Sequence, residues 1–294
     1  MDSLKAFLMG LIQGVTEFLP VSSSGHLSVF SHFFNIDTEI SSLYSSMLHI
    51  GSAVAVLIFF HKTVYELFIE FTLCIKDIRK KRFTFDSKKI SKTRRMLFML
   101  IISCVPLLIL LLPAGDSMIL MEKLTVFSTD DSILAEGICF IVTGGVLILG
   151  ALADSYHKRK RNIGVIPAIL IGFAQMIAAC FPGISRSGMT ISTSLICGAS
   201  RRNAVMYSFI LSVPTILAAG FIEFIDAMKS PTYIPVFPMI VGILTSAIVG
   251  VFSISLLKLL IRKNKFKYLG IYCASLGVIV TVVGIFEALM EQGV

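Results

Sequence analysis

Charged residues are scarce in this sequence of 294 residues. Lys, Arg, Asp and Glu together make up 15% of the chain, whereas hydrophobic residues make up 55% and the mean hydropathy is +0.88. Soluble domains carry about 25% charged residues. A soluble helical core would also have to hide several helices that are apolar on every side. The composition therefore excludes an ordinary soluble domain and indicates an integral membrane protein.

Paired cysteines and nucleic-acid motifs are also missing. The six cysteines form no CxxC pair and lie mostly in or beside apolar runs, so neither a zinc site nor a disulfide framework is indicated. We interpret them as small apolar packing residues. The net charge of +8 comes from basic residues in loops, with no aromatic-interleaved basic stripe beside them. We therefore expect no nucleic-acid partner.

Six apolar segments are long enough to cross a bilayer, which takes about 20 residues for a helix. They lie at about 44–61, 96–113, 133–153, 204–225, 237–258 and 268–289. Only helices and closed barrels satisfy their backbone hydrogen bonds in lipid. The sequence therefore predicts an all-α integral membrane protein with six transmembrane helices.

The loops between these segments alternate in charge. Residues 61–95 contain eleven Lys or Arg, and the loops near 157–161 and 262–267 are also basic, whereas residues 113–132 are acidic. Basic loops remain in the cytoplasm, so we expect the C-terminus on the outer side of the membrane. Thr63–Ile78 is expected to lie on the cytoplasmic surface as an amphipathic segment.

Two shorter apolar segments, residues 4–21 and 164–182, do not fit the pattern of full spans. Each runs into a polar, proline-marked stretch, and the loop charges put both ends of each segment on one side of the membrane. The simplest interpretation is a pair of re-entrant helical hairpins that enter from opposite faces.

The two short segments also resemble each other in sequence. Gln13 and Pro20 have the same separation as Gln175 and Pro182, and a serine-glycine run follows in both. Three spans follow each hairpin, and an odd number of spans inverts the second copy relative to the first. Such inverted repeats place the functional site at their interface near the midplane.

We therefore expect one membrane domain, 1–294, made of two inverted repeats. The first, 1–153, contains one hairpin and three spans, and the second, 161–294, contains the other hairpin and three spans.

The first hairpin carries chemistry at membrane depth. Glu17 lies in an apolar run with Gln13 one helical turn before it, so both can face one site. An ionisable group at this depth is costly and indicates function. Pro20 ends the helix, and serines then begin a new one. A helix N-terminus suits a phosphate. The polar residues of this stretch are Ser22, Ser23, Ser24 and His26.

The second hairpin adds Arg186, whose permanently charged guanidinium forks onto phosphate oxygens. The hydroxyls around it belong to Ser185, Ser187 and Thr190. If the two hairpin tips meet, one pocket would bind an anionic phosphate, coordinate a divalent ion and attack phosphorus. His32 and His49 are instead expected to face the bundle interior or the interface.

These two stretches resemble the signature motifs of the undecaprenyl-diphosphatase (bacitracin-resistance) family. The first stretch runs from Gln13 through Glu17 to His26, and the second runs from Pro182 through Arg186 to Thr190. The similarity in plan covers essentially the whole chain. It implies hydrolysis of undecaprenyl diphosphate to the monophosphate and inorganic phosphate, which recycles the lipid carrier of cell-wall synthesis.

The resemblance also implies roles for individual residues. Glu17 would bind metal or act as acid or base, Ser23 would be the nucleophile and His26 its proton-transfer partner. Arg186 would clamp the phosphate. Gln13 and the hydroxyls Ser22, Ser24, Ser185, Ser187 and Thr190 would contact substrate. The family requires a divalent cation, Mg2+ or Ca2+. Many members have Glu where this chain has Gln13, which leaves one carboxylate, so the diphosphate would have to supply further oxygens.

Two alternatives to this mechanism and function stay open. Water could attack directly, with Ser23 serving only as a hydrogen-bond donor, and the inverted repeat would also suit a secondary transporter or lipid flippase. A third alternative, the phosphatidic-acid-phosphatase superfamily, requires a catalytic histidine after a Ser-Arg pair, but no histidine follows Arg186. The sequence leaves open the prenyl chain length and the oligomeric state, including a homodimer. We expect the pocket to open on the outer face.

Overall fold

The computed structural model describes residues 2–36, 38–81, 90–114, 120–125, 133–156, 162–181, 183–229, 235–262 and 265–291. The regular elements in these ranges are all helices. They are α1 (Ser3–Thr16), α2 (Ser23–Phe33), α3 (Thr38–Phe59), α4 (His61–Arg79), α5 (Lys92–Cys104) with a 3-10 continuation (Val105–Leu111), α6 (Leu120–Thr125), α7 (Leu134–Tyr156), α8 (Val165–Cys180), α9 (Arg186–Ile196), α10 (Arg201–Lys229), α11 (Val236–Arg262) and α12 (Phe266–Glu291). The prediction of an all-α protein is confirmed.

Within the described residues, five helical segments are long and apolar enough to cross a membrane. They are Lys92–Leu111, Leu134–Tyr156, Arg201–Gly220, Val236–Ile261 and Phe266–Met290. Tyr44–Phe59 in α3 reaches this length only together with α4, across a bend of 89°. The six predicted spans coincide with these segments, and a multi-pass membrane protein is confirmed. The two short apolar segments are α1 and α8.

Local sequence explains where several helices begin and change. The Asp2 carboxylate accepts the N–H of Lys5 at 2.7 Å at the start of α1. Ser91 accepts the N–H of Arg94 at 3.0 Å at the start of α5. Such side-chain acceptors satisfy N–H groups that a helix end leaves free. Pro106 has no N–H to continue an α-helical ladder. At this point α5 is followed by the tighter 3-10 segment Val105–Leu111.

Small residues let the helices approach closely, as is typical of membrane bundles. A Cβ added at Gly10 of α1 would lie 2.4 Å from the carbonyl oxygen of Gly242 in α11. A Cβ added at Gly144 of α7 would lie 2.7 Å from the carbonyl oxygen of Gly270 in α12. The α1–α11 and α7–α12 contacts therefore depend on glycine.

The helix contacts are similar in the two halves of the chain. Helix α1 packs against α2 and α11, while α8 packs against α9 and α5. The corresponding helices α3 and α10 contact each other, as do α7 and α12. Two inverted copies would produce such a pattern, although the repeat and the re-entrant character of the hairpins stay predictions.

Candidate active site

The first polar turn, between α1 and α2, is anchored by apolar packing and directs a serine inward. Phe18 is buried in the largest apolar cluster, where its ring packs edge-on against Phe209 at 5.3 Å. Ser22 has a φ of +71°, a value that non-glycine residues seldom adopt. Its hydroxyl accepts the N–H of Gly25 at 3.2 Å and so caps α2. Unusual backbone conformations of this kind often occur at functional sites. Here the turn places Ser23 at the first position of α2.

The second polar turn, between α8 and α9, repeats this cap. The Ser185 hydroxyl accepts the N–H of Gly188 at 3.0 Å at the start of α9. Gly183 has a φ of +103°, which favours glycine because it has no Cβ. Pro182, part of the predicted motif, lies outside the described residues. Helices α2 and α9 therefore both begin at a serine cap, and the N-terminus of a helix attracts an anion.

The two turns contact each other directly. The Ser24 hydroxyl accepts the N–H of Gly183 at 3.1 Å, and the Ser187 hydroxyl donates to the backbone carbonyl of Glu17 at 3.4 Å. The guanidinium of Arg186 donates from Nη2 to Glu17 Oε1 at 2.5 Å. Predicted site residues that lie about 160 residues apart in the sequence are therefore brought together.

Glu17 lies at the centre of this junction and is only 7% exposed. Its Oε2 atom accepts the Ser23 hydroxyl at 2.6 Å and Gln13 Nε2 at 3.1 Å. His49 Nδ1 lies 3.2 Å from the same oxygen. Buried carboxylates are tolerated when they are paired and hydrogen-bonded. These partners, together with Arg186, favour the ionised carboxylate beside the serine hydroxyl.

Arg186 bridges the hairpin junction and α10. Its Nη1 donates to the Thr215 hydroxyl at 3.1 Å, while Nη2 binds Glu17. The side chain is 25% exposed, so part of the guanidinium faces the cavity. A guanidinium has further N–H donors beyond these two. Arg186 is therefore held in place and still has donors for a phosphate oxygen.

A cavity of about 500 Å³ opens at this junction. Its polar wall consists of Glu17, Ser22, Ser23, Ser24, His49, Gln175, Ser185, Arg186, Ser187 and Thr215. Its apolar wall includes Leu107, Leu108, Leu110 and Leu111 of the 3-10 segment and Ala218 and Ala219 of α10. This volume is ordinary for a small-molecule site. The cavity suits a ligand with an anionic head and an apolar tail.

His26, which the resemblance suggested for proton transfer, does not line this cavity. Its Nδ1 lies 2.6 Å from the Ser22 carbonyl oxygen and its Nε2 lies 2.8 Å from the Tyr272 hydroxyl. The ring also packs edge-on against Phe140 at 4.9 Å. Both ring nitrogens of His26 therefore contact groups outside the cavity, and the geometry gives its catalytic assignment no support.

Gln13 and Thr190 also lie behind the cavity wall. Gln13 is fully buried and donates to Glu17, so it contacts the carboxylate and not the cavity. The Thr190 hydroxyl pairs with that of Ser208 at 2.6 Å and ties α9 to α10. Their assignment as substrate contacts stays a prediction, and their contacts indicate positioning.

The two glutamines of the repeat share one unusual feature. Both Oε1 atoms are buried and have no hydrogen-bond partner among the described residues. Gln175 lines the cavity, and its Nε2 donates to the Ser103 carbonyl at 2.6 Å. A buried acceptor without a partner is costly, and at Gln175 this cost falls directly beside the cavity wall.

His49 is the site residue that sequence reasoning missed. It lies on α3 and borders the cavity, 2.7 Å from Gln13 Nε2 and 3.2 Å from Glu17 Oε2. From the sequence, His49 was expected in the bundle interior or at the interface. Its surroundings in sequence are apolar, and no motif links it to the polar turns, so only the packing of α3 against α1 reveals its position.

A resident divalent cation does not fit the protein groups alone. The described residues contain no group of three His, Cys, Asp or Glu side chains that could hold a metal. Among the described residues that line the cavity, Glu17 is the one carboxylate, and its oxygens already bind Arg186 and Ser23. Magnesium usually takes one or two carboxylates plus substrate phosphates. A cation would therefore depend on oxygens that the substrate supplies.

Fold and site together define a class: an all-α membrane protein with a buried carboxylate, arginine and serine pocket suited to a phosphorylated lipid. Residues 6–279 match the family described as bacitracin resistance protein BacA. The chain belongs to that family.

The relatives with curated names agree with this assignment. The chain is 34% identical to the undecaprenyl-diphosphatase of Halothermothrix orenii over 97% of this chain and 100% of the relative. It is 31% identical to the one from Methanosphaera stadtmanae over 97% and 99%. It is 35% identical to the one from Borrelia recurrentis over 92% and 95%. The resemblance inferred from the two motifs is confirmed.

Proposed function

We propose that this protein hydrolyses undecaprenyl diphosphate to undecaprenyl phosphate and inorganic phosphate, and so recycles the lipid carrier of cell-wall synthesis. The relatives it resembles are named for this activity. The observation that carries the proposal is the junction of the two hairpins, where Ser23 donates to Glu17 at 2.6 Å beside Arg186. It supplies a nucleophile, a base and an anion clamp in one cavity.

Substrate binding would use the two converging helix ends. The diphosphate would lie at the N-termini of α2 and α9, with Arg186 on the terminal phosphate. Phosphoryl transfer depends chiefly on positioning and charge stabilisation, which free N–H groups and a guanidinium provide.

The chemical step would begin at Ser23. Its oxygen would attack the terminal phosphorus, its proton would pass to Glu17, and the anhydride bond would break to release the lipid monophosphate. Water would then hydrolyse the phosphoserine, release inorganic phosphate and restore the serine. The 2.6 Å hydrogen bond supports Glu17 as the base, in place of His26. His49 and Gln13 would hold the Glu17 carboxylate in position.

The prenyl tail would leave the cavity along its apolar wall. That wall joins the 3-10 segment to Ala218 and Ala219 of α10. Under the predicted orientation these residues lie toward the outer half of the bundle, because α5 and α10 both begin at basic residues. This supports the proposal that the pocket opens outward in a bacterial inner membrane. Two inverted repeats, re-entrant hairpins and an outer C-terminus belong to the same proposal.

The divalent cation, Mg2+ or Ca2+, is also proposed, as the resemblance implies. It would supply charge neutralisation on the diphosphate when bound. Because Glu17 is the one carboxylate among the described residues of the wall, we expect cation and substrate to bind together and assign no step to the cation.

The test is release of phosphate from farnesyl or undecaprenyl diphosphate by the purified protein in detergent. We expect turnover by the wild type and its loss in Ser23→Ala and Arg186→Ala. Ser155→Ala is the matched control, because the hydroxyl of this exposed serine donates to the Leu152 carbonyl in its own helix, away from the residues that line the cavity. A correctly folded wild type that releases no phosphate would overturn the proposal.

The same experiment separates hydrolysis from transport. A transporter or flippase would need no nucleophile, so lipid movement that survives in Ser23→Ala without phosphate release would favour that alternative. The relatives named above give it no support. Trapping a phosphoserine at Ser23 with a slow substrate would distinguish serine attack from direct attack by water.

A further inference from the structure

Helix α4 differs from the helix that precedes it. It carries three basic and three acidic residues: Lys62, Lys76, Arg79, Glu66, Glu70 and Asp77. Charges at that density are too costly for the hydrocarbon core. The break between Tyr44–Phe59 and α4 is bent by 89°. If α3 runs across the bilayer, α4 therefore runs along its surface.

One face of α4 is fixed against the protein. Leu67 and Cys74 are buried in the apolar cluster that α5 and α10 share. Arg94, at the start of α5, donates to Glu70 at 2.9 Å and to Asp77 at 2.7 Å. These contacts hold the helix at one rotation. They also offset two of its acidic charges.

A second face of α4 is apolar and uncovered. Phe68, Phe71, Ile75 and Ile78 are 64%, 48%, 38% and 58% exposed, respectively. Their spacing of three, four and three residues puts them on one stripe of a helix. The stripe borders the buried edge at Leu67. The stripe therefore faces sideways along the protein. If α4 lies parallel to the membrane surface, the bilayer interface would lie on this side of it.

Basic groups surround this stripe. Lys76 and Arg79 lie beyond it on the helix surface, and the chain continues into Lys80 and Lys81. At the other end, Lys258 of α11 lies 4.0 Å from the centre of the Phe59 ring, next to the bend. An amphipathic helix with an apolar stripe and basic flanks is typical of binding to anionic lipid surfaces.

We propose that α4 is an interfacial helix whose stripe (Phe68, Phe71, Ile75, Ile78) enters the acyl-chain boundary and whose cations bind anionic phospholipid headgroups. The clamp of Arg94 on Glu70 and Asp77 sets the orientation of the helix. Because those two carboxylates are paired, the charge presented to the headgroups is mainly positive. The side of the membrane is the one that the basic loops predict to be cytoplasmic.

The depth of the stripe is directly measurable, because the sequence contains no tryptophan. Phe71→Trp would give a single fluorophore on the stripe, and Glu66→Trp would give a matched one on the opposite side of the helix. In vesicles of phosphatidylcholine with brominated acyl chains, we expect blue-shifted and strongly quenched emission at position 71 and weak quenching at 66. Equal quenching, or stronger quenching at 66, would overturn the interfacial orientation.

The preference for anionic lipid needs a second comparison. We expect phosphatidylglycerol to deepen quenching of Phe71→Trp relative to phosphatidylcholine alone, and added salt to reverse it. Lys76→Gln with Arg79→Gln would abolish this difference. Lys265→Gln with Lys267→Gln, an equal charge change outside α4, would leave it intact. The assignment to headgroup charge would be overturned if phosphatidylglycerol still deepened quenching in the Lys76→Gln, Arg79→Gln variant. It would also be overturned if phosphatidylglycerol had no effect on Phe71→Trp with those two residues unchanged.

Discussion

Replacing Glu17 with glutamine should separate its expected effect on the rate of phosphate release from its expected effect on substrate binding. The side chain keeps its size but loses the charge that now binds Arg186 at 2.5 Å and accepts the Ser23 proton at 2.6 Å. Loss of a general base typically lowers the rate by about 10²–10⁴-fold. We therefore expect Glu17→Gln to lower kcat by that factor.

Binding should change in the opposite direction. At an effective dielectric constant of about 20, two like charges about 5 Å apart repel by about 3 kcal/mol. Glu17 would repel a diphosphate held by Arg186, and the guanidinium screens part of this repulsion. The freed guanidinium would also turn wholly to the ligand. We expect the Kd of a non-hydrolysable diphosphate analogue to fall by about tenfold, which corresponds to about 1.4 kcal/mol.

The assay pairs phosphate release with calorimetric titration of the methylene-bridged analogue of farnesyl diphosphate. Glu136→Gln is the matched control, because Glu136 is also buried and accepts the Ser28 hydroxyl at 2.7 Å but does not line the cavity. It should change neither kcat nor Kd by more than a few-fold. Weaker binding in Glu17→Gln would refute the reasoning, because it would mean that the carboxylate holds a cation bridging to the diphosphate.

Four further outcomes follow from the contacts described above. Ser23→Ala should abolish a trapped phosphoserine, whereas Ser24→Ala should retain it, as phosphopeptide mapping would detect. Gly10→Ala should lower the free energy of unfolding by about 3 kcal/mol in denaturant titration, since overpacking costs about 1–3 kcal/mol. The upper end is expected because the added Cβ would lie 2.4 Å from the Gly242 carbonyl oxygen, which can move only by a backbone shift. Burial would raise the pKa of the Glu70 carboxyl, but hydrogen bonds from the start of α5 outweigh it and hold that pKa below its ordinary value. The stabilising contribution of Glu70 is therefore present above about pH 4.3 and is lost as pH falls through the folded-state pKa. As the pH falls through that range, amide exchange should accelerate first in α4. EDTA should remove phosphate release and Mg2+ should restore it, and release that EDTA leaves unchanged would exclude the cation.

The spans and the polar turns could be predicted because their signals are local. An apolar run of about 20 residues marks a membrane helix wherever it packs, and α7, α10, α11 and α12 follow that rule. Pro20 and the following serines mark a helix break in the same way. Glu17 was identified because a charge within an apolar segment needs a reason, and Arg186 because it lies in the second polar, serine-rich stretch.

The parts that could not be predicted depend on packing. His49 joins the site only because α3 packs against α1, and His26 leaves it because α2 turns its ring toward Tyr272 and Phe140. The sequence favoured His26, which lies in the first polar stretch, over His49, whose immediate neighbours are apolar. The sequence predicted a span that ends near residue 61 and an amphipathic segment after it, but the 89° angle between α3 and α4 could not be predicted from hydropathy.

The convergence of two helix N-termini explains why this pocket pairs the buried Glu17 carboxylate with the partly exposed Arg186 guanidinium. Each N-terminus contributes roughly half a positive charge, and Arg186 adds a full one, so an empty cavity without Glu17 would hold uncompensated positive charge. Glu17 offsets that charge by binding Arg186, as the 2.5 Å contact indicates. An arriving diphosphate would take over this role and free the carboxylate. The group that stabilises the resting pocket would then accept the Ser23 proton only when substrate is present.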